Sequence, residues 1–528
     1  MSESNTPTIA PSRDDSHGDL TKLPEKASLP VESHSHPLAQ LTQIRKNTLL
    51  FVFAIATFVD ITQVSGVGLA VAQLGADLDL AVNQYAWIIT AYSLVFAAFL
   101  LFAGRLSDLF PATIIFKLGF AGLGVISLVT SFVTTNKYGF LILRGIGGLC
   151  GALTIPSSFH LLVHMFPDSE EQQKKLALLG MAGGLGNVLG LVIAGLAMLA
   201  SYHWFFRIMA ILCLVFSGIA FLLLPRIAAP SSSDPTPKWK LLDVPGVILM
   251  MGFLICFILS LTNGPIDGWG SAAFIAPFII SFACAIGFFV WEAAIPSRTA
   301  VLPSSVYQIK NFIPSSLLIM APLAFWFTSQ LYYATHFQLV FGWTPIHAAA
   351  ALVPQGIAGL IVGVASQFVP QIVSKPQFFI PGGVVLMVVG EILQIYSYGG
   401  QGYDYWRYCF PGFVLGSIGA MTVYFGSAIS VVVYAPPEMS GVISAWTQVV
   451  AQVGGAVALA VQAAFETEDR LDWMANAGRT FWFMVAWVAV LGIQYVVFWR
   501  KPGSPEEEHE LARKRIAESG KDMGVVEA

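Results

Sequence analysis

The chain has 528 residues, of which 56% are hydrophobic and only 11% are charged, against about 25% charged in a soluble globular protein. Its mean hydropathy is +0.71, so it could not cover its own surface with polar groups in water. A net charge of −4 supplies no basic surface for nucleic acid, and the composition excludes a soluble enzyme.

Residues 1–44 are rich in Ser, Pro, Asp and His without apolar periodicity, and read as a disordered tail. No short apolar stretch with a cleavage site opens the chain, so no removable signal peptide is expected and the first spanning helix would direct insertion. A hydrocarbon core of about 30 Å takes roughly 20 apolar residues of helix. Fourteen stretches qualify, near 48–72, 84–103, 114–134, 138–162, 176–200, 204–224, 243–263, 272–293, 311–335, 347–369, 378–397, 408–434, 441–465 and 479–500. An even count puts both tails on one face of the membrane. With both termini cytoplasmic, 21 of the 27 Lys and Arg fall inside. The opposite face carries acids such as Asp77, Asp79, Asp267, Asp404, Glu466 and Asp472. Beyond residue 501, Ser504-Pro505-Glu506-Glu507 reads as a capped helix start, and Arg513, Lys514 and Arg515 fall at that short helix's carboxyl end.

The chain has no Gly-x-x-x-x-Gly-Lys-Ser/Thr phosphate loop, so uphill transport would draw on an ion gradient or on the gradient of its own solute. His509-Glu510-Leu511-Ala512-Arg513 has arginine where a zinc protease needs its second histidine. Cys150, Cys213, Cys256, Cys284 and Cys409 are scattered in or beside apolar segments and read as buried thiols, neither disulfides nor metal ligands. No cofactor and no metal are expected.

The stretch after the second span reads Gly104-Arg105-Leu106-Ser107-Asp108-Leu109-Phe110-Pro111. It resembles the signature loop of the major facilitator superfamily, in which a glycine turn, a basic residue and an acid latch the two halves of the molecule. Gly104, Arg105 and Asp108 are the residues this resemblance makes the conformational latch. Pro111, Ala112 and Thr113 depart from the family's glycine and basic residues, and Lys117 comes later. Further stretches are similar to the fourteen-span drug:proton antiporter branch, in its fungal form. They are Phe58-Val59-Asp60-Ile61-Thr62, Trp87 to Leu94, Arg144-Gly145-Ile146-Gly147-Gly148, and Gln338 to Pro345. In the fifth span Gly186, Gly190 and Gly195 resemble the antiporter glycine motif and are expected to let helices approach closely. Leu191 and Ala194 replace its proline and one of its glycines. The resemblance covers about residues 45–500. It implies an all-α major facilitator fold of 14 transmembrane helices, with six-helix bundles at 45–224 and 311–500. Linker loops and an inserted helix pair would occupy 225–310, and a cytoplasmic tail 501–528. Each bundle would hold inverted three-helix repeats, with the substrate path between the bundles.

Asp60 lies mid-span, where an aspartate costs about 2.5–3.5 kcal/mol on insertion scales. Thr57, Asp60 and Gln63 recur at three-residue spacing and are expected to form one polar stripe. Asp60 is expected to couple proton movement, with Arg144, an intramembrane cation in need of a partner, adjusting it. The alternatives are a structural, hydrogen-bonded acid for Asp60 and a fixed structural ion pair for Arg144. Glu391 lies in the eleventh span, a helix that the resemblance puts on the outside of its bundle, and is expected either to pack or sit at an interface or to couple; His160 and His164 are expected at the interface, with a proton relay as the alternative. Tyr92, Trp326, Gln330, Tyr333, Ser444, Gln448 and Gln452 join Thr57 and Gln63 as expected cavity residues. Neutral hydrogen bonders with aromatics suit an amphipathic organic solute.

The sequence therefore predicts a secondary transporter, a proton-coupled exporter of drugs, toxins or secondary metabolites, working as a monomer with small molecules, protons and the bilayer as its partners. The plasma membrane is the expected location, with the vacuolar membrane as the alternative. A transporter or facilitator of a small solute such as ammonium or borate is the second reading. A non-transporting sensor is the third, against which the short tails argue.

Overall fold

The computed structural model describes residues 37–501 apart from 82–83, 134–135, 167, 226–241, 296–299, 301, 303–305, 308, 369–374, 434–439 and 467–471, with Glu510 and Leu511 beyond. Most of the amino tail, most of the proline-rich linker and nearly all of the expected carboxy-terminal helix lie outside the described residues.

In hydrocarbon every backbone N–H and C=O must be satisfied within the segment, so an apolar run becomes helix. All fourteen expected stretches do so. In chain order they are α1 (Gln43–Asp77), α2 (Ala86–Leu109), α3 (Ala112–Thr130), α4 (Lys137–Met165), α5 (Ser169–Ala197), α6 (Tyr202–Leu223), α7 (Val244–Asp267) and α8 (Ala272–Ala294). There follow α9 (Phe312–Leu339), α10 (Pro345–Phe368), α11 (Pro376–Ile395) and α12 (Phe410–Val433). Last come α13 (Ser440–Phe465) and α14 (Arg479–Phe498). Wider π turns at Tyr405–Cys409 and Met474–Gly478 lead into α12 and α14. Local chemistry sets several starts. Asn136, Asp168 and Asp243 each accept a hydrogen bond from a first-turn amide of α4, α5 and α7.

The packing repeats between halves. In the first, α1 lies on α5, α2 on α4, and α3 on both α4 and α6. In the second, α9 lies on α13, α10 on α12, and α11 on both α12 and α14. Adding eight to each helix number converts one set into the other. The halves meet through α5 with α10, α2 with α13, and α1 with α9. Helix α7 packs on α2 and α13, whereas α8 packs on α7 and is 11% buried in its most apolar window, which leaves it to lipid.

Two positive side chains close the carboxyl end of α6. Arg45 donates from Nε to the Leu223 carbonyl (2.6 Å), and Lys117 from Nζ to that of Leu224 (3.1 Å). Cations there complement the helix dipole. The expected signature loop is largely not a loop. Helix α2 runs on through Leu109, and Phe110 turns extended (φ −117°, ψ 164°) because a residue preceding proline is pushed out of the helical region. The turn therefore belongs to Phe110 and Pro111. A methyl group at Gly104 would touch Ala445 of α13 at 3.9 Å and Pro156 at 4.0 Å, so Gly104 lies at the seam between halves. The Asp108 side chain is outside the described residues.

Candidate functional site

Four helices of the first half bring together a buried polar cluster. Asp60 and Gln63 come from α1, Tyr92 from α2, Ser127 from α3 and Arg144 from α4. Each is at most 5% exposed, so none relies on bulk water. The Tyr92 hydroxyl donates to Asp60 Oδ1 at 2.5 Å. The Arg144 guanidinium lies over the Tyr92 ring, 4.8 Å from its centroid. Tyr92 thus stands between acid and base, holding one by its hydroxyl and the other by its π face. Arg144 spreads its remaining donors over backbone and amide. Nε reaches the Ile88 carbonyl (3.2 Å), Nη1 the Gln63 Oε1 (3.3 Å) and Nη2 the Gln63 carbonyl (3.0 Å). Gln63 completes the chain by donating to Ser127 Oγ at 2.7 Å. A narrow crevice lined by Gln63, Tyr92, Ser127, Thr130, Arg144 and Gly147 borders the cluster.

Glycines on α4 make this approach feasible. A Cβ at Gly148 would collide with the Tyr92 carbonyl oxygen, and one at Gly151 would lie 2.6 Å from Asp60 Oδ1. Only a glycine surface lets α4 come near enough for Arg144 to cross to α1 and α2. On α5, a Cβ at Gly186 would meet the Phe58 carbonyl, and one at Gly190 would meet Thr62 and Ser65 of α1. The freed Gly186 carbonyl accepts from the Thr62 hydroxyl at 3.0 Å. Gly195 faces across the seam, against Ile346 and Ala349 of α10.

The expected stripe of Thr57, Asp60 and Gln63 divides between neighbours. Thr57 lies beside Gly183 of α5, Asp60 faces α2 and α4, and Gln63 reaches α3 and α4. The reason is geometric: at 3.6 residues per turn, three-residue steps drift by about 60° each. Asp60 therefore sits inside the first bundle, not on the seam.

The expected cavity residues of the second half also separate. Gln330 donates to Asn187 Oδ1 of α5 at 2.9 Å, a bond between halves. Trp326 donates to Ser417 of α12 (3.3 Å), and Tyr333 shares a 2.8 Å bond with Ser397 inside an aromatic cluster with Phe413, Trp473 and Phe481. Tyr333 is fully buried in that bundle and turned from the seam. Gln448 accepts from Tyr424 at 2.9 Å. Gln452 is 9% exposed and its Oε1 has no partner, whereas Ser444 is half-buried. Glu391 is 0% exposed, and neither carboxyl oxygen has a hydrogen-bond partner. Helix α11 turns it inward beside Gly390, which packs on Gly412 and Gly416 of α12. His160 and His164 stack at 4.4 Å, one turn apart.

Sequence reasoning did not single out Asn187, Gln355 or Ser127, nor the bridging place of Tyr92. Asn187 and Gln355 each carry a signal: Asn187 is the one amide among residues 176–200, and Gln355 is the one amide in α10 apart from Gln367 near its end.

Residues 53–295 match the family model described as Major Facilitator Superfamily. The Aspergillus fumigatus protein named major facilitator superfamily multidrug transporter mfsC is 30% identical over 61% of this chain and 60% of its own length. The puromycin resistance protein pur8 of Streptomyces alboniger is 24% identical over 87% of this chain and 89% of its own. Among solved structures, a peptide transporter POT in complex with sulfate superposes with a TM-score of 0.61 at 14% identity, covering 85% of this chain and 94% of that one. At that identity the likeness speaks for the fold.

Proposed function

We propose that this chain is a transporter of the major facilitator superfamily and, within it, a proton-coupled exporter of small organic molecules. The observation that carries the coupling is the buried unit of Asp60, Tyr92 and Arg144. A carboxylate bonded to a phenol with a guanidinium nearby changes the balance of the whole cluster when it gains or loses a proton. With the proton on Asp60, Arg144 faces no anion, and its hold on Gln63 and on the Ile88 carbonyl becomes the main restraint between α1, α2 and α4. Proton exchange there biases how the first bundle packs, which is the kind of change that can drive alternating access. One charge crossing about 100 mV supplies about 2.3 kcal/mol, enough to bias such an equilibrium some fiftyfold.

Export as the direction is supported by the names of the relatives, among them a multidrug transporter, a puromycin resistance protein and a tetracenomycin C resistance and export protein of Streptomyces glaucescens. Function as a monomer, a plasma-membrane location and cytoplasmic termini belong to the same proposal.

The test is proton flux in proteoliposomes holding wild type or Asp60→Asn. Tetraphenylphosphonium, uncharged toxins and ammonium are added in turn. Coupled export predicts that an organic solute moves protons in the opposite sense in wild type and not in Asp60→Asn. Solute flux that ignores both protons and the substitution would instead leave a facilitator of a small solute, with Asp60 structural.

A further inference from the structure

Beyond the charged first turns of α5, the stretches of α5, α9 and α10 carry no charged residue. Residues 176–206 and 311–374 include no Asp, Glu, Lys or Arg. What they offer at the seam is amides. Gln330 of α9 donates from Nε2 to Asn187 Oδ1 of α5, across the two halves. Gly356 of α10 packs against Val188, the residue after Asn187, and Gly359 packs against the Trp326 ring, one turn before Gln330. Gln355 precedes Gly356 and lies one turn from Gly359, so the register of α10 places it on the stretch of that helix packed against Val188 of α5 and Trp326 of α9. Gln355 is 0% exposed, and both its Nε2 and its Oε1 have no hydrogen-bond partner.

A buried amide with donor and acceptor both unmatched opposes folding, because it has surrendered water for nothing. An apolar residue of the same volume would serve packing better. Sites that depart from local stability in this way are expected where a ligand supplies what the fold does not. We infer that Asn187, Gln330 and Gln355 form a solute-recognition site for uncharged molecules presenting a hydrogen-bond donor and acceptor side by side, as a carboxamide does. The solute's carbonyl takes the Gln355 Nε2 donor and its N–H the Gln355 Oε1. Asn187 and Gln330 release each other and turn to the same group, so binding exchanges a bond between halves for bonds to solute. Occupancy thereby loosens the seam in which the solute sits. Asp60, enclosed by α2 and α4, takes no part in holding the solute, and the site discriminates against charge because it offers no counter-ion. This rests on the reading of the chain as a transporter of organic molecules and adds the class of solute.

The test uses the full chain in nanodiscs and three probes that share one ring system: naphthamide, naphthoate and naphthylmethylammonium. Binding is measured by saturation-transfer NMR and competition. Wild type is expected to bind the amide at least about tenfold more tightly than either ion, the worth of one or two neutral hydrogen bonds. Gln355→Met is expected to abolish that preference while unfolding at the same temperature or higher, since it removes two atoms that bond to nothing in the free protein. Gln355→Glu is expected to turn the preference toward the ammonium. The inference is overturned if an ion binds wild type as tightly as the amide does, if no probe binds, or if Gln355→Met keeps the amide preference. Proton flux through Asp60 is read separately, so an ion-preferring protein that still moves protons sinks this site and leaves the coupling standing.

Discussion

The Tyr92–Asp60 bond is the part of the buried cluster whose worth can be measured without knowing the solute. Tyr92→Phe deletes one oxygen and keeps the ring on which Arg144 rests at 4.8 Å. What is lost is a 2.5 Å bond to a carboxylate oxygen in a place where both residues are at most 5% exposed. Hydrogen bonds to charged groups contribute about 1.5–3 kcal/mol, and a buried acceptor left alone adds its own desolvation cost of about 1–3 kcal/mol. A single substitution cannot separate these, so the assay is a double-mutant cycle of Tyr92→Phe and Asp60→Ala. Reversible unfolding would be followed by circular dichroism in one detergent at fixed pH. Each single variant should be destabilised, and the double variant should be less destabilised than the sum by about 1.5–3 kcal/mol. A coupling below about 0.5 kcal/mol would refute the claim that this bond ties α1 to α2, since uncoupled sites add to within that margin.

Four further outcomes follow from the same geometry. Gly148→Ala drives a methyl group into the Tyr92 carbonyl and should cost about 1–3 kcal/mol of stability, whereas Gly218→Ala in α6, with open space around it, should be neutral or stabilising by up to about 1 kcal/mol; thermal unfolding compares them. Gln338 donates to the Leu69 carbonyl at 2.9 Å, a bond between α9 and α1 that must break when that end of the seam opens. Gln338→Leu should raise the open population about two- to tenfold, read from spin-label distances between the adjoining ends of α1 and α9. Burial, with Glu292 nearby, pushes the Tyr307 phenol above its ordinary value. Its contribution is therefore complete below about pH 10 and is lost as pH rises from there toward the folded-state value, so Tyr307→Phe should extend the alkaline limit of unfolding upward.

The helices were legible because hydrocarbon leaves an apolar run no alternative to helix, and their number because misplacing one would reverse the charge bias of every later loop. Gly104 misleads because glycine alone suggests a turn. The helix continues because Arg105, Leu106 and Leu109 favour it and nothing before Phe110 forbids it, and proline two residues past Leu109 decides the break. Asp60 and Arg144 stood out as charges where charge is costly. Tyr92 did not reveal its bridging place, since a tyrosine is at home in either lipid headgroups or a core, and only the distance between α2 and α4 decides. That distance depends on Gly148 and Gly151, which a reader of one helix cannot pair with the other. The Thr57, Asp60 and Gln63 spacing overreached because three-residue repeats wander around a cylinder. Asn187 and Gln355 were each visible as a polar residue in an apolar span, but their juxtaposition depends on which faces α5 and α10 present to each other.

Among the described residues, α7 touches α2 of one half and α13 of the other, and α8 follows it into the lipid. The seam's two flanks are thus mechanically unequal. On the α2–α13 flank a third helix spans the joint like a splint, and parting those helices means peeling both from α7. Among the described residues, no helix crosses the α5–α10 flank in that way. Rocking of the halves is then expected to turn about the splinted edge, as a book turns about its spine, with the wider excursion at the edge where Asn187, Gln330 and Gln355 lie.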